Sequence, residues 1–294
     1  MTIQPFATVG VAGAGFMGSG IAETVARAGM RVTVYEPGQR ALAASRERID
    51  RSVARAVRGE KLAPQEGVRL VERITWTTEL AEIEDAEVVV EAIVEDLDAK
   101  RELFGQLDAA APRARILASN TSSIPIASLA AATTRPERVC GLHFFSPVPV
   151  MSLVEVVVGL DTSLETIAAA DAFAAQLGKH AIRTKDRAGF VVNFLLVPYL
   201  MSAVRMLEDG FATREDLDEG MRQGCGHPMG PLTLCDFIGL DVLEAVCDSL
   251  YDEFKRPEYA PPALLRRMTA AGRRGRKSGR GFYEYAPDRA RVSA

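Results

Sequence analysis

The chain has 294 residues, 48% of them hydrophobic, and a formal net charge of −4. That is enough apolar material for one large domain or two ordinary ones, and the slightly negative balance excludes nucleic-acid binding by bulk attraction. The four cysteines, Cys140, Cys225, Cys235 and Cys247, show no Cys-x-x-Cys spacing. They read as buried thiols in a reducing compartment, and no metal site is expected.

The N-terminus shows no basic region followed by an apolar core, so no signal peptide is visible. The most apolar later stretch, residues 190–204, is interrupted by Asn193 and Pro198 and falls short of a membrane span. It predicts a buried helix in a soluble, cytoplasmic protein with no membrane partner.

In chain order, a β-branched strand pattern enters Gly13-Ala14-Gly15-Phe16-Met17-Gly18, a Gly-x-Gly-x-x-Gly. An Ala-rich helical pattern follows over 19–28, Gly29 sits where that helix would stop, and a second strand pattern over 31–35 ends in Glu36. Glycines in this spacing also make ordinary turns. Here strand, turn, helix, strand and acid fall in the order a dinucleotide-binding βαβ unit needs. Gly13 allows the tight turn, Gly15 lets backbone approach a pyrophosphate, and Gly18 lets the helix pack on the sheet. The helix N-terminus supplies N–H groups to the phosphates. Glu36 can accept from ribose hydroxyls and repels a 2′-phosphate, which favours NAD over NADP.

A long helix is predicted over 40–58, carrying Arg46, Arg48, Arg51, Arg55 and Arg58, with Gly59 as its C-cap. The default reading of that basic face is solvation; the sharper one is contact with an anionic substrate tail. Strands follow over 74–77 and 86–92, a helix over 97–110, and a strand over 115–118 that opens into Ser119-Asn120-Thr121-Ser122-Ser123. Ligands bind at the carboxyl ends of strands in an open parallel sheet, so this polar loop is a site candidate. Further strands span 139–145 and 153–158, then a helix over 164–177 and a strand over 180–184. Near Gly189 the pattern turns helical: 191–209, 214–222, 231–250 and 263–271, then a basic glycine-rich turn and an aromatic strand-like tail over 275–285. The fold class is therefore α/β, a Rossmann-type dinucleotide-binding domain over 1–188, followed by an all-α C-terminal domain over 189–294.

Three histidines, His143, His180 and His227, are the candidates for a neutral-pH base. His180 enters a strand and reads as exposed; His227 lies in a Gly/Pro turn. His143 lies at a strand end near the carboxyl edge of the sheet, where it is as readily a core residue as a base. Glu155 tips that balance. It sits inside an apolar strand and needs a partner if buried, and an acid that orients imidazole is a recurring pairing.

Six stretches then carry a resemblance: Ser119–Ser123, Gly141-Leu142-His143-Phe144-Phe145-Ser146-Pro147-Val148-Pro149-Val150-Met151, Leu153-Val154-Glu155-Val156, Gly189-Phe190-Val191-Val192-Asn193, His227-Pro228-Met229-Gly230-Pro231, and Gly275-Arg276-Lys277-Ser278-Gly279-Arg280-Gly281-Phe282-Tyr283. In order and over almost the whole chain, they resemble the L-3-hydroxyacyl-CoA dehydrogenase family, in particular its bacterial 3-hydroxybutyryl-CoA members. The resemblance implies a His143–Glu155 pair acting on the substrate 3-hydroxyl, with Ser122 and Asn193 as substrate contacts and counted with the pair as catalytic. It implies NAD contacts at Gly13, Gly15, Phe16, Met17, Gly18, Glu36, Glu95, Lys100, Ser122, Ser146 and Lys277. It implies coenzyme A contacts at Ser52 and a nearby lysine, here Lys61, and a homodimer through the C-terminal domain. An interdomain cleft is the expected site.

Two positions depart from the family pattern. The acid after the second strand is commonly Asp and here is Glu36; the residue after His143-Phe144-Phe145 is commonly Asn and here is Ser146. Glu36 keeps the NAD preference. Ser146 leaves open a different acyl group and a dehydrogenase acting on a carrier-protein-bound one; a same-fold dehydrogenase acting on a free hydroxy acid is a separate alternative.

Overall fold

The computed structural model describes residues 3–286, and the chain divides into two compact units between Arg187 and Ala188. The first unit is an eight-stranded sheet with helices. Its elements are β1 (Thr8–Ala12), α1 (Phe16–Arg27), β2 (Arg31–Tyr35), α2 (Gln39–Arg58), α3 (Pro64–Glu72), β3 (Ile74–Thr77), β4 (Val88–Glu91), α4 (Leu97–Ala110), β5 (Ile116–Ser119), α5 (Ile126–Ala130), β6 (Val139–Phe144), β7 (Leu153–Val158), α6 (Leu164–Gln176) and β8 (His180–Lys185). The strand order is β3-β2-β1-β4-β5-β6-β7-β8, and every pairing is parallel except β6–β7. The first six strands carry the order of a dinucleotide-binding sheet, reversing between β1 and β4. Strands covered by helices on both faces read as unbroken apolar runs, and Val88, Val89 and Val90 are all fully buried.

The register lines up the chemistry. Ala12 pairs with Glu91, Glu91 with Ser119, and Ser119 with Gly141, so the ends of β1, β4, β5 and β6 lie along one edge. Because β7 runs antiparallel to β6, its beginning lies at that same edge, and His143 pairs directly with Glu155.

The second unit is helical: α7 (Val192–Glu208), α8 (Arg214–Cys225), α9 (Pro231–Ile238), α10 (Leu240–Phe254) and α11 (Ala263–Ala270). Its core gathers Val197, Leu200, Met201, Val204, Leu232, Leu240, Leu243, Leu250, Leu265 and Phe282.

Several expectations change. The helix predicted over 231–250 is two helices, broken at Gly239, whose φ of +106° favours glycine. Helix α3 has no counterpart among the predicted elements; its Gly67 faces Val53, Val57 and Leu62, where a Cβ would come within 3.1 Å of Val53. Helix α8 runs on to Cys225. Gly59 ends α2 at an ordinary φ of −87°, and the left-handed residue is Glu60. The tail forms only isolated bridges, Gly275 to Arg280 and Arg280 to Glu284. Helix α1 begins at Phe16, so Gly18 lies in its first turn.

Candidate active site

The glycine loop has the shape its residues require. Gly13 adopts φ +109° and donates its N–H to the Tyr35 carbonyl. A Cβ there would fall 2.5 Å from the Ala92 carbonyl oxygen, and one at Gly18 would fall 1.9 Å from the Gly13 carbonyl oxygen. The tight approach at Gly18 is thus to the loop itself rather than to the sheet. A Cβ at Gly15 would meet nothing within 4 Å, so the backbone faces open space there, and Phe16 is exposed. The donor set, the room at Gly15 and the start of α1 fit a dinucleotide pyrophosphate. Glu36 closes the loop from β2: its Oε2 accepts from Ala14 N (3.2 Å) and its Oε1 from Gly38 N (3.2 Å). Met17 lies in the first turn of α1, half-buried against the sheet core.

At the ends of β4 and β5 a polar network is buried. Glu91, fully buried, accepts from Lys100 Nζ (2.5 Å), Ser119 Oγ (2.6 Å) and Ile93 N (2.7 Å). Lys100 is only 1% exposed and also pairs with Glu95 Oε2 at 3.3 Å. Glu95 accepts from Thr121 Oγ1 (2.5 Å), Ser122 N (3.1 Å) and Ser123 Oγ (2.9 Å). Burial works against its charge, but Lys100 and these donors outweigh it and hold the Glu95 carboxyl below its usual value. Ser122 is half-buried in this loop and does not cap α5, whose N-cap is Pro125. The structure thus brings Lys100 and Ser122 together at Glu95, and Lys100 ties that group to Glu91, a residue sequence reasoning did not single out. Its signal was an acid closing an otherwise all-valine strand.

The strand ladder places His143 and Glu155 side by side. His143 Nδ1 lies 2.6 Å from Glu155 Oε2, with Glu155 fully buried and His143 nearly so. Phe145 stacks edge-on against the imidazole with ring centroids 4.7 Å apart. Asn120 Oδ1 accepts from Phe144 N (2.9 Å), so the polar loop after β5 braces the end of β6. The following turn carries exposed Ser146, and Lys179 Nζ donates to the Val148 and Met151 carbonyls behind it. Of the other histidines, His180 is exposed, and His227 Nδ1 lies 3.2 Å from Tyr199 Oη within the helical unit.

The basic face of α2 resolves residue by residue. Arg46 stacks over Trp76, Arg51 pairs with Glu47, and Arg48 turns to the glycine loop. Ser52 is half-buried on the same helix, and Lys61 is exposed just beyond it. In the helical unit, Asn193 lies half-buried in the first turn of α7. Lys277 Nζ pairs with Asp241 at 2.6 Å beside the break at Gly239. Its turn is held by Asp236, fully buried, which accepts from Phe282 N (2.9 Å), Tyr283 N (2.9 Å) and Tyr285 Oη (3.0 Å). Among the described residues no cluster of metal-ligating side chains occurs.

Comparison with known proteins decides the assignment. The family model described as 3-hydroxyacyl-CoA dehydrogenase, NAD binding domain, matches residues 8–187, and that of the 3-hydroxyacyl-CoA dehydrogenase C-terminal domain matches residues 189–285. The chain belongs to the 3-hydroxyacyl-CoA dehydrogenase family. It is 54% identical over 280 residues to a 3-hydroxybutyryl-CoA dehydrogenase of Mycobacterium tuberculosis, covering 94% of this chain and 98% of that one. Among solved structures it matches FadB2 of M. tuberculosis with a TM-score of 0.94 at 53% identity, covering 96% of this chain and 100% of that one. It matches the (S)-3-hydroxybutyryl-CoA dehydrogenase PaaH1 of Ralstonia eutropha with a TM-score of 0.90 at 44% identity, over 96% and 100% of the two chains. As a 3-hydroxyacyl-CoA dehydrogenase family member it is an NAD-dependent oxidoreductase. No helix among the described residues is long and apolar enough to cross a membrane.

Proposed function

We propose that this chain reversibly oxidises L-3-hydroxyacyl-CoA, 3-hydroxybutyryl-CoA foremost, to the 3-ketoacyl thioester. The observation that carries the reading is the 2.6 Å contact of His143 Nδ1 with Glu155 Oε2 inside a buried strand pair. Glu155 fixes the ring and stabilises its cationic form, so His143 takes the substrate hydroxyl proton through Nε2. Bound NAD supplies the hydride acceptor. Such acid–base help contributes about 10²–10⁴-fold. Ser122 and Asn193 position the hydroxyl and the thioester carbonyl, and Ser52 and Lys61 hold the coenzyme A portion. Glu95, Lys100, Ser146 and Lys277 complete the NAD contacts.

Residues 189–294 form the substrate and dimerisation domain in this reading, and 1–188 the cofactor domain. Exposed Leu195, Phe211, Phe237 and Val242 in the helical unit support a homodimer through it; light scattering in solution tests it. The four cysteines are all free thiols, which supports a cytoplasmic setting.

The test is purified protein with acetoacetyl-CoA and NADH, followed by the fall in NADH absorbance, and again with NADPH. Turnover with NADH and little with NADPH is expected, because the Glu36 carboxylate beside the loop repels a 2′-phosphate. Turnover of free or carrier-protein-bound acetoacetate, with none of the coenzyme A thioester, overturns the substrate assignment.

A further inference from the structure

Arg48 reaches from the middle of α2 to the glycine loop. Its Nη1 donates to the carbonyl oxygens of Ala14 (2.9 Å) and Gly15 (3.3 Å) and to Ser19 Oγ (2.7 Å). Ser19 Oγ in turn lies 2.6 Å from the Gly15 carbonyl oxygen and 2.9 Å from Ser45 Oγ on α2. The two carbonyls belong to the peptide units whose nitrogens are those of Gly15 and Phe16. In a planar trans peptide the C=O and N–H point to opposite sides. A group that gathers both carbonyls on the α2 side therefore turns the N–H groups of Gly15 and Phe16 the other way. The backbone is open at this point, since a Cβ on Gly15 would meet nothing within 4 Å.

The charge points the same way. The loop forms the N-terminus of α1, the positive end of its dipole, and the first turn of α1 holds no acidic residue. A guanidinium placed there raises the local positive potential, which is unfavourable until an anion arrives. Glu36, on Ala14 N, is the nearby counter-charge. We propose that Arg48 is a positioning residue for the cofactor: it fixes the peptide orientations of the glycine loop and adds positive charge behind the bound pyrophosphate. This goes beyond the proposed reaction and rests only on NAD binding, so it stands or falls separately from the identity of the thioester.

Arg48→Met and Arg48→Lys test it, read by NADH fluorescence titration at low and high salt, by kcat and KM for NADH, and by urea unfolding. Arg48→Met is expected to weaken NADH binding about tenfold and to flatten its salt dependence, with kcat at saturating NADH close to the wild-type value. Arg48→Lys keeps the charge but not the planar guanidinium whose Nη1 meets all three acceptors, and is expected to lose only about two- to threefold. Wild-type NADH affinity and salt dependence in Arg48→Met overturn the proposal. So does equal loss of affinity in both variants that tracks loss of unfolding stability, because Arg48 would then only tie α2 to α1.

Discussion

Glu91, Glu155 and Asp236 are all almost completely buried, and each meets a different kind of partner. Glu91 at the end of β4 faces the Lys100 ammonium; Glu155 in β7 faces the His143 imidazole; Asp236 in α9 faces two backbone N–H groups and the Tyr285 hydroxyl. Burial is common to all three, so burial cannot be what separates a structural acid from the acid that serves catalysis in the proposed mechanism. The partner separates them. Imidazole is the one side chain that ordinarily changes charge near neutral pH, so an acid held against it can support proton transfer. An acid against a lysine holds a fixed ion pair, and an acid against N–H groups holds a turn.

The largest effect should come from the imidazole partner. His143→Gln is expected to lower kcat by about 10²–10⁴-fold while NADH affinity stays near wild type; steady-state kinetics beside NADH titration checks both. Near-normal kcat would move His143 into the structural class and sink the proposed mechanism.

Next come the ion pair and the turn. Lys100→Met leaves Glu91 buried without its cation, and should cost about 3–5 kcal/mol of stability by urea unfolding. A loss no larger than a surface substitution gives would show that the pair is dispensable. Asp236→Ala orphans the donors that fold the 275–285 turn, with an expected cost of about 1–3 kcal/mol. Since that turn carries Lys277, KM for NADH should rise more than kcat falls. An unchanged KM would separate the turn from the cofactor.

The smallest effects lie in pH dependence, where the acids differ in sign. Burial opposes charge on Asp108, but Thr134 and Arg135 outweigh it, so Asp108, like Glu95, is held below its usual value. Their stabilisation is complete above the ordinary values of 3.8 and 4.5 and is lost as pH falls through the lower folded values. Burial, reinforced by Asp218, pushes Asp236 up despite its hydrogen bonds. Its contribution is therefore present below 3.8 and lost as pH rises through its higher folded value. Thermal unfolding from acid to neutral pH should show Asp236→Asn gaining on the wild type as pH rises. A gap that narrows instead would reverse the sign assigned to Asp236.

What the order of amino acids determined by itself was whatever short-range pattern carries. Gly13 and Gly18 after a β-branched run dictate the turn, because a Cβ at either would strike a backbone carbonyl. The His143–Glu155 pairing was legible because one turn joins two adjacent strands only 12 residues apart, and ladder register does the rest. Only the tertiary structure decided the aim of Arg48, which meets the loop 34 residues away while looking in sequence like any other arginine on a basic helix. The same holds for Ser119 meeting Glu91 across 28 residues, Phe282 meeting Asp236 across 46, and the break at Gly239 that seats Lys277 against Asp241. A buried polar group must find a partner somewhere, but which one it finds is set by which strands and helices pack side by side, and no local periodicity records that.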